Sequence, residues 1–310
     1  MRIKFTQIVC SIFPPSVSQR LRELIYPRVL GIKRKVDFSR KSITGSEFAS
    51  NTEDFHGYPF LFHGFFDWRN VIIANSIFKK NKGDIIEIGA NIGTETISFC
   101  DITKRKGKVH AFEPFPKNFN HLKKLLQNSE NLILYQQAIS DIKSTLSFKV
   151  PPLTLSGTGK IVSETKTNDN QIIKVDAFPL DTLIGKFNTV KLIAIDTEGH
   201  EPHVLNGSEE TISKHRPAVI IEVSPKLIAE YSNSDPRFIS DFFKNKNYSL
   251  FKINRFSISK ITERDLISRK ASNWVCIPIE NNKLKSRIYI DLILRSILPW
   301  YLLKTLPNKK

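Results

Sequence analysis

Cysteine is scarce in this chain of 310 residues: Cys10, Cys100 and Cys276 stand far apart. An odd, scattered set makes neither a disulfide framework nor a zinc site. Each is expected to be a small buried hydrophobe in a reducing compartment, so a cytoplasmic location is expected. Long apolar runs are also missing. No run of 18 apolar residues exists, so nothing in the sequence reads as a bilayer span. The opening MRIKFTQIVCSIFPPSVSQR has two early positive charges and a short apolar run. Pro14 and Pro15 interrupt that run and no small-residue cleavage site follows, which argues against a secretory signal. There is no repeat of fixed period and no long low-complexity tract.

Acidic charge is in deficit. Against 47 Lys and Arg stand 30 Asp and Glu, a net +17. Such a surplus suits nucleic acid, an anionic membrane or acidic glycans. The basic residues run along the whole chain, and only Lys33, Arg34, Lys35 and the terminal Lys309 and Lys310 look locally clustered. A nucleic-acid partner calls for tighter clustering and is not expected. Of the seven histidines, six, His56, His63, His110, His121, His203 and His215, offer no ligand spacing.

What is present is ordinary globular composition, 40% hydrophobic and 25% charged, enough to fill a core. Residues 1–80 lack a clean period. Their aromatic segment GYPFLFHGFFDWRN (57–70) reads as a packed lid over a core edge, or as a sugar platform. From 81 the pattern alternates: DIIEIG strand, GTETISFCDITK helix, KVHAFEP strand, PKNFNHLKKLLQNS helix, NLILYQQAIS strand. Such alternation builds a parallel sheet with right-handed crossovers. STLSFKV and QIIKVDAF alternate like half-exposed strands around a loop, an antiparallel hairpin insertion at about 140–180. Strand and helix then resume: VKLIAIDTEG, EPHVLNGSEETISKH, PAVIIEVSP, DPRFISDFFKNKN, YSLFKIN, with ASNWVCIPIE as a last antiparallel strand. The expected division is an accessory region 1–80, a catalytic domain 81–280 and a tail 281–310. In the tail, Asp291 and Arg295 could pair on one helix face, with Ile288, Leu292 and Ile293 on the other. It reads as a docked amphipathic helix, or as a membrane-surface helix with Trp300 and Tyr301 at the interface.

The chemistry starts at DIIEIGANIGTETISFC, 84–100. Gly89 and Gly93 follow a buried strand, where an open parallel sheet binds its ligand. A dinucleotide fingerprint would be G-x-G-x-x-G. Here the middle glycine is absent, which disfavours a nicotinamide oxidoreductase. Glu87 beside the turn would repel phosphate and attract an amino group or a sulfonium. Glu113 ends the second strand, 24 residues past Gly89, where an acid binds ribose hydroxyls. Together these describe a pocket for S-adenosyl-L-methionine.

IIEIGANIGTETISFC, VHAFEPFPKNFNHLKKLL, LILYQQAIS and the block LDTLIGKFNTVKLIAIDTEGHEPHVLNGSEETISKHRPAVIIEVSP resemble the FkbM-type methyltransferase family over about 84–253, the D-x-E-G-x-E element most diagnostically. Glu87 stands where many members have Asp, and Ala194 where they often have Lys. The resemblance implies an α/β fold of the class I methyltransferase (Rossmann-like) type: a mostly parallel sheet with helices on both faces, plus the hairpin insertion. It implies S-adenosyl-L-methionine as methyl donor and O-methylation of a saccharide, glycan or glycolipid hydroxyl. By the same resemblance Glu87, Gly89, Asn91 and Gly93 line the methionine and ribose end, Glu113 holds the ribose, and Gln137 and Ala138 lie near the adenine. Asp196, Glu198 and His200 face the donor methyl, with Glu222 close by. A hydroxyl acceptor must lose its proton, and a base within reach speeds that by about 10²–10⁴. His200 titrates nearest neutrality, and Asp196 is the alternative. Oxygen ligands at Asp196 and Glu222 would suit a divalent metal, but no spacing demands one and none is expected. The alternative function is a non-catalytic protein of this fold that binds a glycan or protein partner.

Overall fold

The computed structural model describes residues 1–163 and 171–298. A short hairpin of β1 (Asp37–Lys41) and β2 (Glu47–Asn51) precedes the main sheet. The expected strands follow in chain order: β3 (Asp84–Ile88), β4 (Val109–Phe112) and β5 (Leu132–Tyr135). A small second sheet uses β6 (Ala138–Ile139), β7 (Ser144–Lys149), β8 (Lys160–Val162) and β9 (Ile172–Phe178). The main sheet resumes with β10 (Val190–Ile195), β11 (Ala218–Val223), β12 (Tyr248–Ile253), β13 (Ile258–Lys260) and β14 (Ser272–Pro278). Its order is β13-β12-β14-β11-β10-β3-β4-β5. The five strands from β11 to β5 are parallel, and β14 lies antiparallel between β11 and β12.

Helices cover both faces of this sheet, which is why its strands read as continuous apolar runs. Successive side chains point to opposite faces, so Ile85, Ala194 and Ile220 fill one core while Ile86, Ile193 and Ile221 fill the other. The segment read as a third strand breaks at Gln136–Gln137, leaving β5 in the main sheet and sending β6 to the small one. The expected hairpin pairs as β7 with β9, with β8 and β6 added at its edges to give four strands. Residues 164–170 of its loop lie outside the described residues. The segment EPHVLNGSEETISKH divides into helices Glu201–Asn206 and Glu209–His215. The backbone breaks at Gly207, where a Cβ would lie 1.9 Å from the Ser140 carbonyl oxygen.

Position 80 does not separate two bodies. Helix Gly57–His63 is buried at all seven positions, and helix Trp68–Phe78 packs Val71, Ile72 and Ile77 into the same core as Ile85 and Ala194. The aromatic segment is thus an inner wall. Helix Asn282–Ile297 adds Leu284, Ile288 and Leu292 to that core, so it docks. Trp300 and Tyr301 lie outside the described residues. Asp291 does not pair with Arg295, because it shares the docked face with Ile288 and Leu292 and must find an inward partner. Lys79 Nζ donates to it at 2.7 Å and Ser76 Oγ at 2.6 Å. Asp291→Ala removes both bonds, although Ser76 keeps the Ile72 carbonyl as an acceptor and Lys79 can turn to water. The expected cost is about 1–3 kcal/mol, read as a melting temperature lowered by several degrees, with Asp291→Asn giving a smaller drop.

Candidate active site

From β3 the sheet continues to β4 and β5 on one side and to β10 and β11 on the other, so the crevice between the carboxyl ends of β3 and β10 is the topological switch point. The turn after β3 is fixed there atom by atom. Gly89 N and Ala90 N both donate to the Phe112 carbonyl at 3.0 Å, and Asp196 N donates to the Ile88 carbonyl at 3.0 Å. Gly89 has φ +92°, and a Cβ on it would lie 1.8 Å from the Asp196 carbonyl oxygen. No side chain fits, and the bare backbone faces the crevice. Asn91 holds φ +50°. Its N–H donates to Glu113 Oε2 at 2.7 Å, and its Oδ1 accepts from Asn118 Nδ2 at 3.0 Å. Glu113 Oε1 accepts from Phe115 N at 2.9 Å.

Two cavities flank this turn and share Ile88, Gly89, Asn91 and Asp196 as walls. The first, about 540 Å³, is lined by Glu113, Gln137 and Ala138 below, with Phe148 and the segment from Ser156 to Ile161 above. The second, about 550 Å³, is lined by Glu87, Glu95, Asp196, Glu222 and Asn273, together with His56 and Asn70 from the N-terminal region. The upper segment of the first cavity is tied to the N-terminal region: Ser156 N donates to Asp54 Oδ2 at 3.0 Å, and a Cβ on Gly157 would lie 2.2 Å from the His56 ring.

The walls are crowded with carboxyls, and the nearby cations are few: Lys160 faces Glu198 and Arg69 faces Glu95, and neither outweighs burial. Burial holds Glu87 well above the usual carboxylate range, with Glu95 and Glu113 adding to it. Its Oε2 has no partner although the residue is only 5% exposed. Burial pushes Glu95 up to about 8, Glu113 up to about 7 and Glu198 up to about 7. Asp196 meets water on the cleft floor, yet enclosure by the cleft walls, then the charges of Glu222, Glu198 and Glu201, hold its carboxyl well above normal. Oxygens of Asp196 and Glu222 lie within 4.8 Å of one another, close enough for the two carboxyls to share a proton. Glu198 sits beside them in a left-handed backbone, φ +53°, the kind of strained conformation that functional sites retain. Oxygens of Asp196, Glu198 and Glu222 lie within 4.8 Å of one another. Among the described residues this is the group whose spacing would admit a divalent cation, and a shared proton would use the same oxygens.

These shifts have a signed consequence. A carboxyl whose folded pKa is raised stabilises the fold below its unfolded value of 4.5 and loses that contribution as pH rises through 7 to 8. Two buried histidines act oppositely: burial lowers His56 to about 4 and His200 to about 3, so stability falls as pH drops below 6.5. Between pH 4.5 and 6.5 the three carboxyls outweigh the two histidines, so the ligand-free protein is expected to melt highest near pH 5 and progressively lower toward pH 8. A cationic ligand in the cleft flattens the upper limb. Thermal melts from pH 5 to 8.5, with and without ligand, check this.

The expected cofactor residues come together. Glu87, Gly89, Asn91, Glu113, Gln137 and Ala138 line the two cavities, while Gly93 supports the turn from behind, where a Cβ would lie 2.4 Å from Leu122. Asp196 and Glu222 meet, with Glu198 beside them. His200 lines the first cavity, as expected, but burial sets its protonation apart from the expected role. It is 6% exposed, its Nε2 is 3.0 Å from Ser140 Oγ, and its ring stacks on His203 at 4.6 Å. Driven down to about 3, it stays neutral at every physiological pH and does not titrate near neutrality. Sequence reasoning missed His56, Asn70, Glu95, Asn118, Phe148 and Asn273. Glu95 was within the motif itself. The others come from segments without a motif and reach the cleft only through the fold.

No curated protein matches the chain by sequence. Among solved structures, methyltransferase FkbM from Methylobacillus flagellatus KT is 17% identical over 63% of this chain and 43% of its own, with a TM-score of 0.40. This chain therefore spans less than half the length of that relative. A putative methyltransferase from Streptococcus mutans, solved with SAH, is 10% identical over 66% of this chain and 93% of its own, TM-score 0.37. Fibrillarin from Methanococcus jannaschii, a pre-rRNA processing protein, is 15% identical over 64% of this chain and 67% of its own, TM-score 0.35. The family profile described as the methyltransferase FkbM domain matches residues 87–250, which takes in the glycine turn, Glu113 and the Asp196–Glu222 pair; with a class I methyltransferase sheet around those residues, the chain belongs to the FkbM methyltransferase family.

Proposed function

We propose that the protein transfers a methyl group from S-adenosyl-L-methionine to a hydroxyl of a saccharide, glycan or glycolipid. One observation carries the donor reading: a cleft walled by five carboxyls with raised pKa, Glu87, Glu95, Glu113, Asp196 and Glu222, the first with an unpartnered buried oxygen. Such walls repel phosphate and take a cation, and the donor supplies two, a sulfonium and an ammonium. Glu113, with a free lone pair on each oxygen after its two backbone bonds, would accept from the ribose diol. Gly89 leaves bare backbone where the donor's amino-acid end would lie.

The hydroxyl reading rests on the second cavity. Asp196 and Glu222 are acceptors on its wall, with Asn70 and Asn273, and Glu198 stands beside the two carboxyls. Carboxylates and amides suit a polyhydroxylated guest; the bound hydroxyl would give its proton to the carboxyl cluster as its oxygen takes the methyl, the sulfur–methyl bond breaks and S-adenosylhomocysteine leaves. Positioning the acceptor oxygen in line with the methyl supplies much of the remaining acceleration. The test has two parts. Calorimetry with S-adenosylhomocysteine and with NAD should give binding for the first only; binding of NAD instead sinks the donor assignment. Incubation with methyl-labelled donor and fractionated cell extract should then label a glycan or glycolipid fraction. Label confined to protein or RNA overturns the acceptor class.

A further inference from the structure

Large apolar side chains on the protein surface are not scattered at random. Of the 21 that are exposed among the described residues, fourteen lie in residues 1–32 and 289–298. Helix Arg2–Ile12 turns Thr6 and Cys10 inward and exposes Phe5, Ile8 and Ile12 at 55, 57 and 49%. These positions repeat at three and four residues and make one stripe. Phe13 and Val17 carry it across the Pro14–Pro15 corner. Helix Asn282–Ile297, docked through Ile288 and Leu292, exposes a second stripe of Ile290, Leu294 and Ile297. The two stripes meet. Ser16 Oγ donates to the Ser296 carbonyl at 3.3 Å, and Arg255, beside the exposed Phe256, donates to the Ser16 carbonyl.

Charge follows the same segments. Residues 1–35 hold eight Lys and Arg against one acid, Glu23, and residues 283–310 hold seven against one, Asp291. Thirteen of the seventeen net positive charges therefore sit in 63 residues, Lys304, Lys309 and Lys310 among them outside the described residues, so the surplus is concentrated toward the two ends of the chain. No helix among the described residues is long and apolar enough to cross a membrane. Apolar stripes flanked by cations, too short to span, fit the plane of an interface, with the stripes in the acyl boundary and the cations among anionic headgroups.

We infer that the N-terminal helical hairpin and the exposed side of the C-terminal helix form one face that docks on an anionic lipid bilayer. A second copy of the chain is the poorer occupant, since two faces of the same strong positive charge repel, whereas anionic headgroups attract both. The face is one helix from the active site: helix Arg2–Ile12 packs on helix Gly57–His63, and His56, just before that helix, lines the second cavity. The inference stands apart from the methyl-transfer reading, because it concerns a surface and not the cleft.

The test is co-sedimentation of the full chain with vesicles of phosphatidylcholine alone and of phosphatidylcholine with an equal part of phosphatidylglycerol. Binding to the anionic vesicles is expected, at least tenfold stronger than to neutral ones and weakened at 0.5 M NaCl. Phe5→Ser with Ile8→Ser and Ile12→Ser should lower it at least tenfold. These side chains are exposed, so the triple variant should melt within a degree or two of the parent, and binding of S-adenosylhomocysteine should be the same for both. Equal binding of parent and variant to anionic vesicles overturns the inference. So does no binding to them, or a vesicle-free dimer that the triple substitution abolishes.

Discussion

Asp196→Asn is expected to lower the rate of methyl transfer by about 10²–10⁴ while leaving affinity for S-adenosylhomocysteine within about threefold. The argument is one of position and charge. Asp196 leaves the end of β10 with its backbone fixed, since its N–H is bonded to Ile88 and its carbonyl lies against Gly89. Its carboxyl opens onto both cavities, where a hydroxyl and a methyl donor would meet. A carboxylate of ordinary pKa is a poor base for a hydroxyl. Enclosure and the charges of Glu222, Glu198 and Glu201 raise that of Asp196, and so raise its basicity. Asparagine keeps the shape beside Glu222 but cannot take a proton. The parent's rate should rise with pH through about 7, as Glu198 at about 7 and its coupled neighbours ionise. In Asp196→Asn that rise should flatten. His200→Ala is the comparison: His200 is neutral and bonded to Ser140, so its loss should cost stability more than rate. If Asp196→Asn keeps the parent's rate and pH profile, and His200→Ala loses both, the base is the histidine.

How much of this was legible in the sequence differs by element. The strands of the main sheet were plain, because burial on both faces leaves mostly apolar runs such as DIIEI, interrupted only by Glu87, and KLIAI. Gly89 and Glu113 were legible because a missing Cβ and an acid at a strand end each serve one kind of contact. β6 was not, since the chain changes sheets at Gln136–Gln137 without a glycine or proline to mark it. Asp291 was assigned to the wrong face because pairing with Arg295 follows local spacing, whereas Lys79 lies 212 residues away. His200 looked like a titrating group because a histidine's reference pKa is near neutral. Its shift comes from burial behind Ser140 and His203, which spacing does not encode. The role of residues 1–80 was invisible for the same reason: His56 and Asn70 reach the cleft from segments whose own pattern says only that they are apolar.

Glu113→Ala should weaken binding of S-adenosylhomocysteine by about 10- to 100-fold, taking about 1.5–3 kcal/mol for hydrogen bonds to a charged group. Glu113 has two duties. Toward the protein it accepts from Asn91 N and Phe115 N and so holds the turn in its left-handed bend. Toward the cleft each oxygen keeps a second lone pair, and a ribose diol offers two donors at the matching separation. Alanine removes both. Glu113→Gln separates them, because its single carbonyl oxygen still accepts from one backbone N–H while its amide can only donate. The glutamine variant should melt closer to the parent than the alanine variant, yet bind nearly as weakly. The ionised carboxylate is the better acceptor, and burial pushes Glu113 up to about 7. The parent's affinity should therefore fall as pH is lowered from 8 to 6, whereas that of Glu113→Gln should stay level. Calorimetry at pH 6, 7 and 8 on the three proteins decides the matter. Parent-like affinity in Glu113→Ala would mean that the ribose lies elsewhere and that Glu113 serves only the turn.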